Sequence, residues 1–335
     1  MNSAFLRLAL SLVASTVLVS ALLAWSGTPP ASIWQAIRAL DPAVLALALG
    51  VQAAIYPLRA MRFRALLGPG QAAPLGRLVP ATAAHSLVAY LLPAKLGEAS
   101  LVLYLERGLG LSRSRGLAVL LVARALDFAG VTVALTVACL VIGALGIAPA
   151  APWLLPLGAL LVVPALLLSV VAVRGASLVR WVRSIGRGLP GMGEGGRLDR
   201  IAGKVEAALD EVRGQRLARA ALWTLPIWAA VFAYYGVLAR GLGLDSLGPF
   251  EAVFGASLAV LSNLLPINGF AGFGTQDAGW VFGYTAMGAS QEAAVASGLA
   301  FHLIYVAGMA AFGVLGHALV GKVQPSADSP QANED

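Results

Sequence analysis

The chain is poor in the residues that build most enzyme centres. It has one cysteine and three histidines in 335 residues, and only 12% of its positions are charged. A single cysteine, Cys139, inside an apolar run excludes an intrachain disulfide and any cysteine-cluster metal site. Three scattered histidines with no His-x-x-x-His spacing argue against a zinc centre. No Ser/His/Asp arrangement can be built from the sequence, so neither a cofactor nor a metal is expected. Also missing is any long polar stretch that could form a water-soluble domain.

What is present is apolar: 59% hydrophobic residues and a mean hydropathy of +0.82. Several runs approach the roughly 20 residues needed to cross about 30 Å of hydrocarbon. The expected fold class is an all-α polytopic membrane protein. The formal charge of +7 sits mainly beside apolar runs, which points to membrane topology and excludes nucleic acid as a partner.

Charge placement orients the spans. Arg7 precedes a first span, Phe5 to Trp25, whose length and flank "AWSGTPP" fit a retained helix better than a cleaved signal. Residues 26–43 then read as an outward loop. A second span, about Val44 to Leu58, ends in Arg59, Arg62 and Arg64, three cations read as a cytoplasmic end. Two short apolar pieces follow, Pro80 to Leu92 and Ala99 to Leu105, with arginines on both flanks. Thirteen helical residues reach only about 20 Å, so residues 78–106 are expected to enter and leave on one side as a re-entrant hairpin with "PAKLGE" at its tip. A third span, about Leu117 to Leu145, contains Arg124 and Asp127, and a fourth covers Trp153 to Val173.

Residues 174–219 hold ten Arg or Lys and five Asp or Glu, a cytoplasmic loop. In it Leu178, Trp181, Val182, Ile185 and Leu189 keep helical spacing among arginines, the pattern of an interfacial helix on anionic lipid. A second amphipathic helix, "IAGKVEAALDEV", follows the break "GLPGMGEGG". A fifth span, Ala221 to Leu238, precedes a second broken pair, Ala252 to Leu265 and Trp280 to Met287, joined by "LLPINGFAGFGTQD". A last span, Ala294 to Val320, ends at Lys322.

The expectation is therefore six full transmembrane helices and two oppositely oriented re-entrant hairpins in an inverted repeat. Its parts are residues 1–150, residues 151–320 with the second hairpin at 249–288, and a disordered tail, 321–335. Such repeats place substrate where their broken helices meet. Glu98 is followed 26 residues on by Arg124, and Asp277 is followed 25 residues on by His302, so each hairpin acid has a basic residue on the next span.

Ionisable residues at membrane depth mark function by default. Lys95 and Arg124 would clamp an anionic headgroup; Glu98 with Arg124, or Asp127 with Lys95, could equally be structural ion pairs that fix the hairpin, and Asp127 and Arg124, one turn apart, could pair with each other. "GFAGFGTQD" follows no strand and lacks the Lys-Ser/Thr of a phosphate loop. Its glycines suit a tight turn, and Asn268, Thr275 and Gln276 offer hydrogen bonds. His302 is a candidate proton carrier beside Asp277.

These residues also carry a resemblance. "LLPAKLGEAS" with the downstream "RALD" resembles the Pro-x-Arg/Lys-x-Gly-Glu tract and Arg-x-x-Asp of the lysylphosphatidylglycerol synthase transmembrane (flippase-like) family, and "LLPINGFAGFGTQD" is similar to its Gly-x-Gly-x-x-Glu tract. The likeness covers about residues 50 to 320. It implies substrate-binding roles for Pro93, Lys95, Gly97, Glu98, Arg124, Asp127, Gly272, Gly274 and Asp277. Asp277 stands where a Glu is usual, and His302 where an Arg is expected.

The likeness further implies a stand-alone membrane domain without an aminoacyl-transferase domain, lodged in a bacterial inner membrane with both termini cytoplasmic. Its expected work is translocation of an anionic phospholipid or polyprenyl phosphate, with proton coupling through Glu98 or Asp277 and room for a homo-oligomer. An intramembrane enzyme acting on a lipid phosphate, and a membrane scaffold recruiting a partner through the basic loop, are the alternatives.

Overall fold

A computed structural model describes residues 3–68, 73–186, 196–264 and 269–320. All regular elements among them are helical. In chain order they are α1 (Ser3–Ser26), α2 (Pro30–Ala39), α3 (Pro42–Leu67), α4 (Leu75–Leu91), a 3₁₀ segment (Pro93–Ala99), α5 (Ser100–Leu109), α6 (Arg113–Leu145), α7 (Ala151–Gly186), α8 (Arg197–Glu211), α9 (Gln215–Gly241), α10 (Pro249–Leu264), a 3₁₀ turn (Phe270–Gly272), α11 (Thr275–Ala286) and α12 (Gln291–Val320).

Local chemistry sets several boundaries. Pro30 and Pro42 open α2 and α3, where a missing N–H costs nothing, and the Asp41 carboxylate accepts from the Ala43 N–H at 2.7 Å to cap α3. Gly110 and Gly146 close α5 and α6 in the left-handed conformation that glycine adopts without a Cβ penalty.

Four helices are long and apolar enough to cross a membrane: α3, α6, α9 and α12. Residues 11–26 of α1 and all of α2 make a further pair, bent by 90°, that would bring the number to five. The surface agrees with a lipid solvent. Val13, Val17, Leu160, Leu166, Leu222, Leu225 and Val314 are exposed, while Arg62, Asp127, Gln276, Asp277 and His302 are buried. That inside-out distribution is the signature of a polytopic membrane protein.

One order of elements occurs twice: a long helix, a helix–3₁₀–helix pair, and a second long helix. It runs α3, α4/α5, α6 and then α9, α10/α11, α12. The two long leading helices, α3 and α9, pack on each other. The first arm of each pair lies against the closing helix of the other set, α4 on α12 and α10 on α6. Close approach is built with glycine. A Cβ on Gly283 would sit 2.7 Å from the Gly255 Cα, which lets α10 and α11 touch along their backbones, and one on Gly97 would sit 2.1 Å from the Val88 carbonyl, which folds the 3₁₀ segment onto α4.

Three expectations need correction. The stretch read as an outward loop after the first span contains the helix α2. Helix α3 does not end at Leu58 but continues to Leu67, so Arg59 and Arg62 lie within it and Arg62 is 1% exposed. A cation after an apolar run looks the same in sequence whether it meets water or a buried carboxylate. Finally, the fourth span and the interfacial helix are one helix, α7, kinked at Arg174 (φ −111°, ψ 22°). Two of its arginines pair with α8: Arg180 with Glu206 at 2.7 Å, and Arg183 with Glu206 at 2.7 Å and Asp199 at 2.9 Å. Leu178, Trp181, Val182 and Ile185 remain exposed, as expected of an apolar interfacial face. Leu189, most of "GLPGMGEGG" and the tail 321–335 lie outside the described residues.

Candidate functional site

The two broken helix pairs meet across a cavity of about 110 Å³. Its polar lining comes from α3 (Gln52, Tyr56, Arg59), from α4 and the first 3₁₀ segment (Ser86, Tyr90, Lys95, Glu98), and from α6 (Arg124, Asp127). Helices α9, α10 and α12 add Trp228, Tyr234, Tyr235, Asn263 and Tyr305.

One wall is a chain of ion pairs. Arg62 grips Asp127 with two bonds, 2.6 Å to Oδ1 and 3.2 Å to Oδ2. Arg124 donates to Asp127 Oδ2 at 3.0 Å and to Glu98 Oε2 at 2.6 Å, and His85 Nε2 stands 3.9 Å from the same Glu98 oxygen. Buried charges persist only when paired in this way. Both structural pairings open to Arg124 in the sequence are thus made. Asp127 pairs with Arg62 and Arg124 and not with Lys95, whose ammonium donates to Asn263 Oδ1 at 3.3 Å. Its backbone is left-handed (φ 59°), as is that of Ala271 (φ 49°) in the second 3₁₀ turn. Non-glycine residues in that region store strain, and strain of this kind gathers at ligand clamps.

The second broken pair contributes a tightly closed polar knot. Asp277, in the first turn of α11, accepts the Gly274 N–H at 2.8 Å on one oxygen and faces His302 Nδ1 at 2.7 Å with the other. His302 Nε2 faces the Ala271 carbonyl at 2.8 Å and the Tyr90 hydroxyl at 3.0 Å. Tyr90 already donates to Gln276 Oε1 at 2.8 Å, so its oxygen is free to accept. Both ring nitrogens therefore meet acceptors, and an imidazolium, which donates from both, satisfies them all. Phe273 stacks on the ring at 3.9 Å.

The structure thus brings Lys95, Glu98, Arg124 and Asp127 to one cavity. Gln276 reaches its edge by accepting from Asn263 Nδ2 at 2.9 Å and donating to Tyr235 at 3.4 Å. Asp277 and His302, 1% and 0% exposed, do not line the cavity. Gly272 and Gly274 have positive φ and shape the turn into α11, where the Thr275 hydroxyl donates to the Gly272 carbonyl at 3.2 Å. Pro93 opens the first 3₁₀ segment, and Gly97 provides its close approach to α4. Asn268 lies outside the described residues.

Sequence reasoning missed the opposite wall. Gln52, Tyr56 and Arg59 fall at i, i+4 and i+7 on one face of α3, a spacing visible in the sequence once that helix is known to continue past Leu58. Arg59 has no ion-pair partner among the described residues, and its Nε is buried without a hydrogen bond. The same holds for Gln52 Oε1, Tyr56 Oη, Trp228 Nε1 and Tyr234 Oη.

An apolar exterior, several spans and a charged internal cavity define a multi-pass helical membrane protein with a polar chamber. A family model, the lysylphosphatidylglycerol synthase TM region, matches residues 6–313. The chain belongs to that family, which ties it to the membrane handling of lipids. Among curated proteins, none matches this chain.

Proposed function

We propose that the protein is a translocase for an anionic lipid or lipid-linked phosphate, not an enzyme, in the bacterial inner membrane with both termini cytoplasmic. In this account α4/α5 and α10/α11 are re-entrant hairpins of opposite orientation, and the set α3 to α6 is the inverted counterpart of α9 to α12. Six full spans result when α1 and α7 join the four long apolar helices. The symmetric packing of α4 on α12 and α10 on α6 supports this arrangement.

One observation carries the proposal. Four cations, Arg59, Arg62, Lys95 and Arg124, surround two carboxylates, Glu98 and Asp127, around a cavity buried among apolar spans. The excess is positive, and cations at membrane depth that lack a carboxylate partner invite an anion from outside the chain. Transport is favoured over catalysis because Glu98 and Asp127, the acids in the cavity, are held by arginines and neither stands free as a general base. Proton coupling through Glu98 would require breaking its bond to Arg124. Glu98→Gln is therefore expected to alter the pH dependence of flux, and an unchanged profile would take that acid out of the cycle.

Native mass spectrometry of co-purified lipids tests the binding step. An anionic lipid retained by the wild type and lost from Lys95→Ala is the expected result. Equal retention by both proteins, or no anionic lipid at all, would overturn the proposal.

A further inference from the structure

Part of the cavity lining is held in ion pairs and part is not. Burying an unsatisfied donor or acceptor costs roughly 1–3 kcal/mol, and native structures leave few such groups without a reason. Three such groups belong to lining residues on two packed helices: Tyr56 and Arg59 of α3, and Tyr234 of α9. Both tyrosines are at least nine-tenths buried.

Their chemistry is lopsided. Arg59 only donates, and the two tyrosine hydroxyls can donate. Lys95, also in the lining, has N–H groups to spare beyond its bond to Asn263. The missing group is therefore rich in acceptor oxygens. Charge narrows it further. Arg62 and Arg124 are matched by Asp127 and Glu98, while Asp277, His302 and His85 do not line the cavity. Two positive charges remain, Arg59 and Lys95.

Resting on the translocase reading above, we infer that the cavity is a binding site for a phosphomonoester dianion, held by Arg59, Tyr56, Tyr234 and Lys95. The lipid class is then one with a terminal phosphate, as in phosphatidic acid or a prenyl monophosphate, rather than a phosphodiester headgroup. A diester brings one negative charge and fewer free oxygens, leaving one cation and at least one donor unsatisfied.

The test is equilibrium binding to the purified full chain at pH 8, where a phosphomonoester is a dianion, using dioctanoyl phosphatidic acid, dioctanoyl phosphatidylglycerol and inorganic phosphate. Phosphatidic acid is expected to bind at least about tenfold more tightly than phosphatidylglycerol, the size of one charged hydrogen bond. Arg59→Gln should shrink that preference to about threefold or less. Tyr56→Phe removes a hydroxyl that has no partner among the described residues, so it should weaken phosphatidic acid several-fold without lowering the stability of the empty protein. Equal or tighter binding of phosphatidylglycerol would overturn the monoester assignment and leave the translocase reading standing. No binding of any of the three probes would overturn both. Competition by inorganic phosphate as strong as that of the lipid would keep the dianion site and remove the lipid as its source.

Discussion

Asp127→Asn removes one charge from the centre of the ion-pair wall while keeping the side chain's shape. Asp127 is enclosed and takes both bonds of Arg62, itself 1% exposed, plus a third from Arg124. At about 4 Å and an effective dielectric near 20, each such charge pair is worth roughly 4 kcal/mol before desolvation is counted. Arg124 keeps Glu98 and so loses little. Arg62 has no other carboxylate at hand, and its guanidinium is left buried against an amide. Truncating one partner of a buried pair costs about 3–5 kcal/mol, which is the expected loss. Arg62→Met should cost a similar amount by stranding Asp127 with Arg124 alone. In the double variant Arg62→Met/Asp127→Asn no unpaired Arg62 charge remains, so its cost should lie well below the sum, with a coupling of about 2 kcal/mol or more. Reversible unfolding in mixed micelles, followed by far-UV circular dichroism over a denaturant series, gives all four corners of the cycle. Additive losses, or a loss under about 1 kcal/mol for Asp127→Asn, would refute the claim that this wall is a structural clasp.

Other perturbations reach separate parts of the fold. Gly97→Ala would drive a methyl to 2.1 Å from the Val88 carbonyl, so the first broken pair must spread. A loss of about 1–3 kcal/mol is expected, read by the same unfolding experiment, and a neutral result would mean the 3₁₀ segment is not held on α4. His302→Leu leaves Asp277 Oδ1 and the Ala271 carbonyl without donors, and a loss of about 2 kcal/mol or more should accompany it; full stability would show that the knot around α11 is not held by this histidine. At the end of α7, hydrogen bonds from Arg180 and then Arg183 hold the Glu206 carboxyl below its usual range. A depressed carboxylate contributes stability above its unfolded pKa and loses it as pH falls through the folded one. The protection of α8 amides, taken relative to their intrinsic exchange rate at each pH, should therefore fall below about pH 4, and protection that stays constant across that range would remove Glu206 from the α7–α8 contact.

Much of this organisation was legible in the residues. Long apolar runs with charges at their ends give α1, α6, α9 and α12 to within several residues, because the hydrocarbon thickness sets a length that few soluble helices need. The spacing from Glu98 to Arg124 and from Asp277 to His302 anticipates contacts of 2.6 Å and 2.7 Å, since a buried charge compels a partner and the next helix is the nearest place to find one. Arg59 and Arg62 were misplaced for the complementary reason: charge at the end of an apolar run marks either a boundary or a buried pair, and only the position of Asp127 in space decides. Tyr56, Tyr90, Tyr234 and Trp228, all of which line the cavity, vanish into apolar periodicity because their rings are hydrophobic. The kinked α7 escaped because its second half is amphipathic, and sequence does not say whether α8 or lipid meets the arginines.

Transbilayer movement is the most direct measure of the central claim. The wild-type chain would be reconstituted into liposomes carrying a fluorescent short-chain phosphatidic acid in both leaflets, with dithionite used to bleach the outer one. Protein-dependent loss of the inner pool, largely abolished in Arg59→Gln and in Lys95→Ala, is the predicted result. A rate equal to that of protein-free liposomes, or one that both variants preserve, would contradict it.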